Sequence, residues 1–513
     1  MESVCRKDNP TKNQTEQFYY MSKSSSCFSG NVLKLFLGSL FAQALGVLIT
    51  PIVTRLFAPE AFGVAAIFVS ITGIVGVVAC LRYELSIMLP KTDEEAANLL
   101  AVSLFFILIT TGIIALIIFL AGDGIANLLH SPEIKKYLWL IPVSIFGSST
   151  FLALTYWASR TNYFGYLSFA RVISSIVTQT TKLGMGLSGF VCGGTLIVAT
   201  ILGQIISTII LGGQIWRTNH NLFKASIHWK KMFAGLKRHK NFPIYSTSSA
   251  LLNTASQLIP VILLALYFSP KIVGFFALGK MVLGMPINLI GRSIGQVFFQ
   301  KASEAHNHTG NLSVVVEETI KRLVALGIFP LLLIVLIGKD IFTIVFGTQW
   351  AEAGIYMQIM GLWVFFQFIS SPISTMFCIF EKQNQSLFFN GALFLARTVS
   401  IIIGGMTGNI MFTLFLFAGT GIVCYGFLFF WTITMAGIPV TRGLSCIFQY
   451  SLYSSPLLII IAITKWLLGV QEMGVFIFGL CCVFVYYIFV ISQDAELRKM
   501  AELFYRRVIG FAK

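Results

Sequence analysis

Fourteen apolar windows of about 18 to 25 residues, each long enough to cross the hydrocarbon of a bilayer as a helix, run along this chain from 32–54 to 473–491. With 513 residues at 56% hydrophobic and 11% charged, the chain cannot close one water-soluble core. The expected fold is an all-α membrane protein of about 14 transmembrane helices. Internal similarity divides it further. Residues 55–68 read RLFAPEAFGVAAIF and residues 266–279 read LYFSPKIVGFFALG, matching at Phe57/Phe268, Pro59/Pro270, Gly63/Gly274 and Ala66/Ala277. Asp123 and Asp340 stand at comparable places, and Ala170-Arg171-Val172-Ile173-Ser174 is echoed by Ala396-Arg397-Thr398-Val399-Ser400. Two six-helix bundles with the same in/out sense, 31–216 and 244–434, are expected, related by a parallel repeat about an axis along the membrane normal. A cytoplasmic tail 1–30, a basic cytoplasmic linker 217–243, two additional helices in 435–491 and a basic tail 492–513 complete the plan.

Orientation follows from Lys and Arg, because short loops rich in them stay cytoplasmic. Placing both ends inside leaves only Arg55, Lys135, Lys136, Lys271, Lys339 and Lys465 of the 36 Lys and Arg in outer loops. The first apolar run lacks a convincing small-residue cleavage site and reads as an uncleaved span. The net charge of +16 sits mainly in inner loops and tails, with no aromatic-interleaved basic domain. Anionic membrane lipid, not nucleic acid, is its expected partner. Neither the nine Cys nor the six His have metal-ligand spacing, so no metal or cofactor is expected.

Five cations, Arg171, Lys182, Lys280, Arg292 and Arg397, lie inside the windows, and no Asp or Glu lies in the interior of any. A charge at the centre of a spanning helix costs about 2.5 to 3.5 kcal/mol on insertion scales, so these side chains are expected to face a wet, positive cavity between the halves. Helical spacing puts Arg171, Ser174, Ser175, Thr178 and Lys182 on one face of the fifth window. Asn253 and Gln257 share a face of the seventh, Gln43 a polar face of the first, and Asn390 and Arg397 one of the eleventh. On a regular helix Lys280 and Arg292 stand about 120° apart. Polar stripes also glue helices together, and Arg171, close to the inner headgroups, can snorkel to them. Both readings stand beside the cavity one.

The pattern at Leu56 to Gly63, followed by LRYELSIMLPKTDEEAANLL at residues 81–100, resembles the polysaccharide-unit flippases of the multidrug/oligosaccharidyl-lipid/polysaccharide exporter superfamily, which include O-antigen and exopolysaccharide unit translocases. The resemblance implies a multi-pass bacterial inner-membrane protein that is not an enzyme. It would move a polyprenyl-pyrophosphate-linked oligosaccharide from the cytoplasmic to the periplasmic leaflet by alternating access, beside polysaccharide polymerase machinery. Arg82 and Glu84 match the family pattern, as an ion pair holding the inner gate or as a purely structural pair. A pyrophosphate suits Arg as a bidentate partner and Lys as a point charge; Gln43, Asn253 and Gln257 are candidate sugar contacts.

No phosphate-loop motif is present, since Gly279-Lys280 and Gly338-Lys339 are followed by Met281 and Asp340. Membrane potential, or H⁺ or Na⁺ coupling, is left as the energy source. Two rival readings are a cation-coupled multidrug exporter of the same superfamily, which calls for interior acids, and a membrane polysaccharide polymerase or ligase, which calls for a large outer loop.

Overall fold

A computed structural model of the chain describes residues 37–128, 132–308, 310–493 and Arg498. The tail 1–30 and nearly all of 492–513 lie outside these residues. The spanning helices are α1 (Leu37–Leu56), α2 (Pro59–Ala79), α3 (Asp93–Leu128), α4 (Leu140–Arg160), α5 (Phe164–Leu187), α6 (Gly193–Ser226) and α7 (Thr247–Tyr267). They continue with α8 (Pro270–Pro286), α9 (Ser313–Phe346), α10 (Ala351–Ser370), α11 (Gln383–Met406), α12 (Ile410–Met435), α13 (Val440–Trp466) and α14 (Glu472–Gln493). Twelve helical segments among the described residues are long and apolar enough to cross a membrane. Two helices are missing from that set: α5, where Arg171 and Lys182 lower the apolar signal, and α8, which at 17 residues ends too early at Pro286.

Corresponding helices of the two halves have corresponding neighbours. In the first half α3 packs on α4, α4 on α6, and α6 on α5; in the second, α9 packs on α10, α10 on α12, and α12 on α11. The halves meet where α2 lies against α7 and α8. Outward faces expose large apolar side chains such as Leu48, Phe119, Phe388, Phe448 and Phe484, as a surface solvated by lipid requires. The extra helices α13 and α14 both dock on α9. Tyr486 and Tyr487 of α14 donate their hydroxyls to the Ala325 and Leu326 carbonyls of α9, at 2.9 and 2.8 Å.

The structure adds detail to three points of the sequence plan. The linker 217–243 is largely helical: α6 runs on to Ser226, and a separate basic, amphipathic helix Trp229–Arg238 packs on α3. Lys339 and Lys465, expected in outer loops, lie within α9 and α13. The interior is also not free of acids, because α9 extends past a kink at Ile337 and carries Asp340 inward. Asp340 is 5% exposed and pairs with Lys465 Nζ of α13 at 2.6 Å. That charge is neutralised in place and fastens α13 to α9.

Candidate functional site

One end of the bundle is closed by the two copies of the repeated motif. The start of α2 crosses the start of α8 so tightly that a Cβ on Gly63 would overlap the Pro270 carbonyl, and one on Gly274 the Pro59 carbonyl. This reciprocal contact gives Gly63 and Gly274 their physical role in the repeat, since only a residue without a side chain admits backbone at that distance. Around it, Arg55 Nη2 donates to the Ile344 carbonyl at 2.7 Å. Gln349 Nε2 and Trp350 Nε1 both donate to the Thr54 carbonyl, at 2.6 and 2.8 Å.

Further into the bundle, the second half encloses a cavity of about 170 Å³ walled by α7, α8, α10, α11 and α12, with Gln257, Lys280, Trp363 and Arg397 on its wall. It adjoins a cavity of about 550 Å³ onto which Asn253, Arg292, Gln296, Asn390 and Tyr425 also face. Ser256, Gln257, Asn288, Gln367 and Arg397 belong to both. The residues lining the two cavities include no Asp or Glu. The structure thus brings Lys280, Arg292, Arg397, Asn253 and Gln257 together. Arg292 reaches this wall because the helix widens into a π turn at Ile287–Gly291, directly after Pro286. A wider turn removes about one residue's rotation, ~100°, and swings Arg292 toward the side of Lys280.

Arg397 is buried, and its guanidinium lies 5.2 Å from the Trp363 ring, 5.6 Å from Tyr425 and 5.8 Å from Phe417. Stacking on aromatic faces suits the planar, weakly hydrated guanidinium and fixes its position without neutralising it. Its Nη2 donates to the Tyr425 hydroxyl at 3.4 Å. The Trp363 indole is itself seated against Gly421 of α12, where a Cβ would overlap it. Lys280 Nζ donates to the Gln257 carbonyl, and Gln257 Nε2 to Asn253 Oδ1 at 3.4 Å. Trp363, Phe417, Gln367 and Ser256 were missed from sequence: the aromatic pair is indistinguishable from core packing until Arg397 is seen between the rings.

The first-half candidates are arranged differently. Lys182 and Gln43 line a separate, mostly apolar cavity of about 750 Å³ between α1, α2, α5 and α8, which meets the second-half cavities at Asn288. Arg171 instead donates from Nη1 to Ser39 Oγ on α1 at 3.0 Å. Ser175 Oγ donates to the Ala42 carbonyl at 2.9 Å, and Ser174 and Thr178 press on Gly203 of α6. Much of the polar stripe on α5 therefore holds helix seams rather than facing a common chamber with Lys182.

Arg82 and Glu84 form a pair at 3.5 Å, with the Glu84 side chain only 1% exposed. Leu81 and Arg82 turn the chain through left-handed φ of 48° and 60° into the short helix Tyr83–Ser86. That helix abuts the turn Phe242–Ser246 that opens α7, and the Tyr83 hydroxyl donates to the Leu236 carbonyl at 3.3 Å. The pair lies where the first half meets the lead-in to the second.

Burial raises the Glu84 carboxyl above the ordinary carboxylate range, with Arg82 offsetting part of the effect. The neutral form is the one folding favours, so its stability contribution is complete at low pH and is lost as pH rises through the raised value. Glu84→Gln is expected to remove that pH-dependent loss, which begins at the ordinary carboxylate range. Thermal unfolding of the purified protein across pH measures it, and an identical profile in both proteins would rule out Glu84 as the source.

Comparison with known proteins bears on this arrangement. The family model described as polysaccharide biosynthesis protein matches residues 52–355, more than half of the chain. Among solved structures, the lipid II flippase MurJ in an inward closed conformation superposes with a TM-score of 0.71 at 16% identity, over 93% of this chain and 99% of that one. An inward-facing multidrug resistance MATE family transporter of the MOP superfamily gives 0.61 at 14% identity, over 77% and 94%. A MOP superfamily transporter from Pyrococcus furiosus, described as having a binding pocket of reversed polarity that suggests a different function, gives 0.52 at 14% identity, over 79% and 95%. Direct sequence comparison with curated proteins gives no match. At these identities the structural likeness establishes the fold.

Proposed function

The chain belongs to the polysaccharide biosynthesis protein family, and on that premise we propose that it is a flippase. Its cargo is an oligosaccharide unit linked through pyrophosphate to a polyprenol, carried from the cytoplasmic to the periplasmic leaflet of a bacterial inner membrane for surface polysaccharide such as O-antigen or exopolysaccharide. One observation carries this reading: Lys280, Arg292 and Arg397 face joined cavities whose lining includes no carboxylate. Such a site repels a cationic drug and attracts a diphosphate.

The sugars take the larger cavity, where Asn253, Gln257 and Asn390 present hydrogen-bonding groups. Lys182 and Gln43 serve the route from the first half. With both termini cytoplasmic, the Gly63–Gly274 crossing is the periplasmic gate, shut in this conformation, and Arg82–Glu84 braces the cytoplasmic side. Exporting negative charge across an inside-negative membrane gains about 2.3 kcal/mol per charge per 100 mV, so potential and removal of product supply the direction.

Disruption of the gene tests the reading against its rivals. Lipid-linked single units are expected to accumulate unexported, whereas single units reaching the surface would indicate a polymerase, and drug sensitivity with normal glycan would indicate an exporter of cations.

A further inference from the structure

The basic helix Trp229–Arg238 joins the end of α6 to the turn that opens α7, and three contacts fix the side it docks on α3. Arg238 Nη1 pairs with Glu95 Oε2 at 3.4 Å, Gly235 lies against Leu99, and the Trp229 ring meets the Phe105 ring edge-on at 5.6 Å. On the docked side Lys231 and Arg238 share a cavity of about 470 Å³ with Glu94 and Glu95, so two acids offset two cations there. The other flank has no such balance. With about 100° of rotation per residue, Trp229, Phe233, Lys230 and Lys237 lie within about 100° of one another, turned away from Gly235. Trp229 and Phe233 are each 65% exposed, and both lysines are exposed. The linker itself supplies no counter-charge, because no Asp or Glu occurs between Glu133 and Glu304.

We propose that this free flank binds anionic phospholipid, with Trp229 and Phe233 inserted at the acyl boundary and Lys230 and Lys237 on headgroup phosphates. Continuity with the lipid-facing surface decides the occupant. Phe105, against which Trp229 rests, is exposed on the spanning helix α3 together with Leu108 and Ile109, so the two aromatics extend an apolar surface that lipid already covers. Indole suits the boundary between headgroups and acyl chains, and a lysine lays its stem along apolar surface while its ammonium stays among the headgroups. A basic amphipathic helix with an aromatic face is the form that settles at such an interface. An acidic protein would satisfy the lysines, but it would have to cover the aromatics where the bilayer already stands. The connection between the two halves is then held by α3 on one side and by lipid on the other. This site is separate from the cavities of the second half and does not depend on the cargo.

The full chain is reconstituted in phosphatidylcholine nanodiscs with and without phosphatidylglycerol, and amide hydrogen exchange of residues 229–238 is followed by mass spectrometry. Each lysine near an anionic surface is expected to contribute about fivefold, so phosphatidylglycerol is expected to slow exchange about 25-fold at low salt. The effect should shrink as added salt screens it. Lys230→Gln/Lys237→Gln, changed only at exposed positions, is expected to exchange at one rate in both bilayers. Phe233→Ser is expected to exchange faster than wild type in both, because insertion of the ring does not depend on headgroup charge. Equal wild-type rates in the two bilayers, or an undiminished phosphatidylglycerol effect in the lysine variant, would overturn the proposal. Protection by soluble polyglutamate and not by phosphatidylglycerol would assign the flank to an acidic protein and overturn it as well.

Discussion

Arg397→Gln is expected to lower surface glycan about tenfold or more while the protein remains in the membrane at normal abundance. The charge-assisted hydrogen bonds that an arginine makes are worth about 1.5 to 3 kcal/mol, which corresponds to a tenfold to hundredfold loss of affinity for an anionic headgroup. Lys280 shares the cavity wall with Arg397 but offers a point charge without the planar stacking or the bidentate fork. The Arg397 guanidinium is held by Trp363, Phe417 and Tyr425, not by an acid, so its charge is available to a ligand and is costly without one. Arg397→Lys keeps the charge but loses the planar stacking and the bidentate fork, and an intermediate level is expected. Lys182→Ala is expected to impair export as well, through the neighbouring cavity. Glycan ladders from whole cells, normalised to membrane abundance, measure all three; wild-type ladders in Arg397→Gln and Lys182→Ala together would refute the assigned roles.

How far the site could be read in advance depended on whether a residue's signal was local. The repeat was legible because Pro59 and Gly63 recur at Pro270 and Gly274, and the need for those glycines is a backbone property. Arg397 and Lys280 were legible because a charge deep in an apolar run is too costly to leave against lipid. The rest depended on contacts between distant segments. The charge of Asp340 disappears into a pair with Lys465 that no local pattern announces. Phase arguments failed at Arg292, since the π turn at Ile287–Gly291 breaks the regular rotation on which they rest. On α5 the phase was sound and its meaning was not: Ser174, Ser175 and Thr178 share a face with Arg171 and Lys182, yet α1 and α6 occupy part of that face. Trp363 and Ser256 gave no sequence signal, because their place on the cavity wall is set by contacts between distant helices.

Gly274→Val should have the second large effect, on the conformational equilibrium rather than on binding. The side chain would be driven into the Pro59 carbonyl at the crossing of α2 and α8, where the obstacle is backbone and cannot rotate away. Overpacking a tight contact costs about 1 to 3 kcal/mol when neighbours yield, and more is expected where they cannot. Each 1.4 kcal/mol shifts a two-state equilibrium about tenfold, so the closed arrangement of this end should become a minor state. Gly63→Val is expected to act equivalently, because the contact is reciprocal. Spin labels on Glu60 and Lys271, both exposed at the start of their helices, report the separation directly. A longer and broader distance distribution is expected in either variant, together with loss of export despite an unaltered Arg397 cavity. If both variants retain the wild-type distance, the glycine crossing is not the contact that closes this end of the transport path. If the distance increases and export persists, closure here is not required for the cycle.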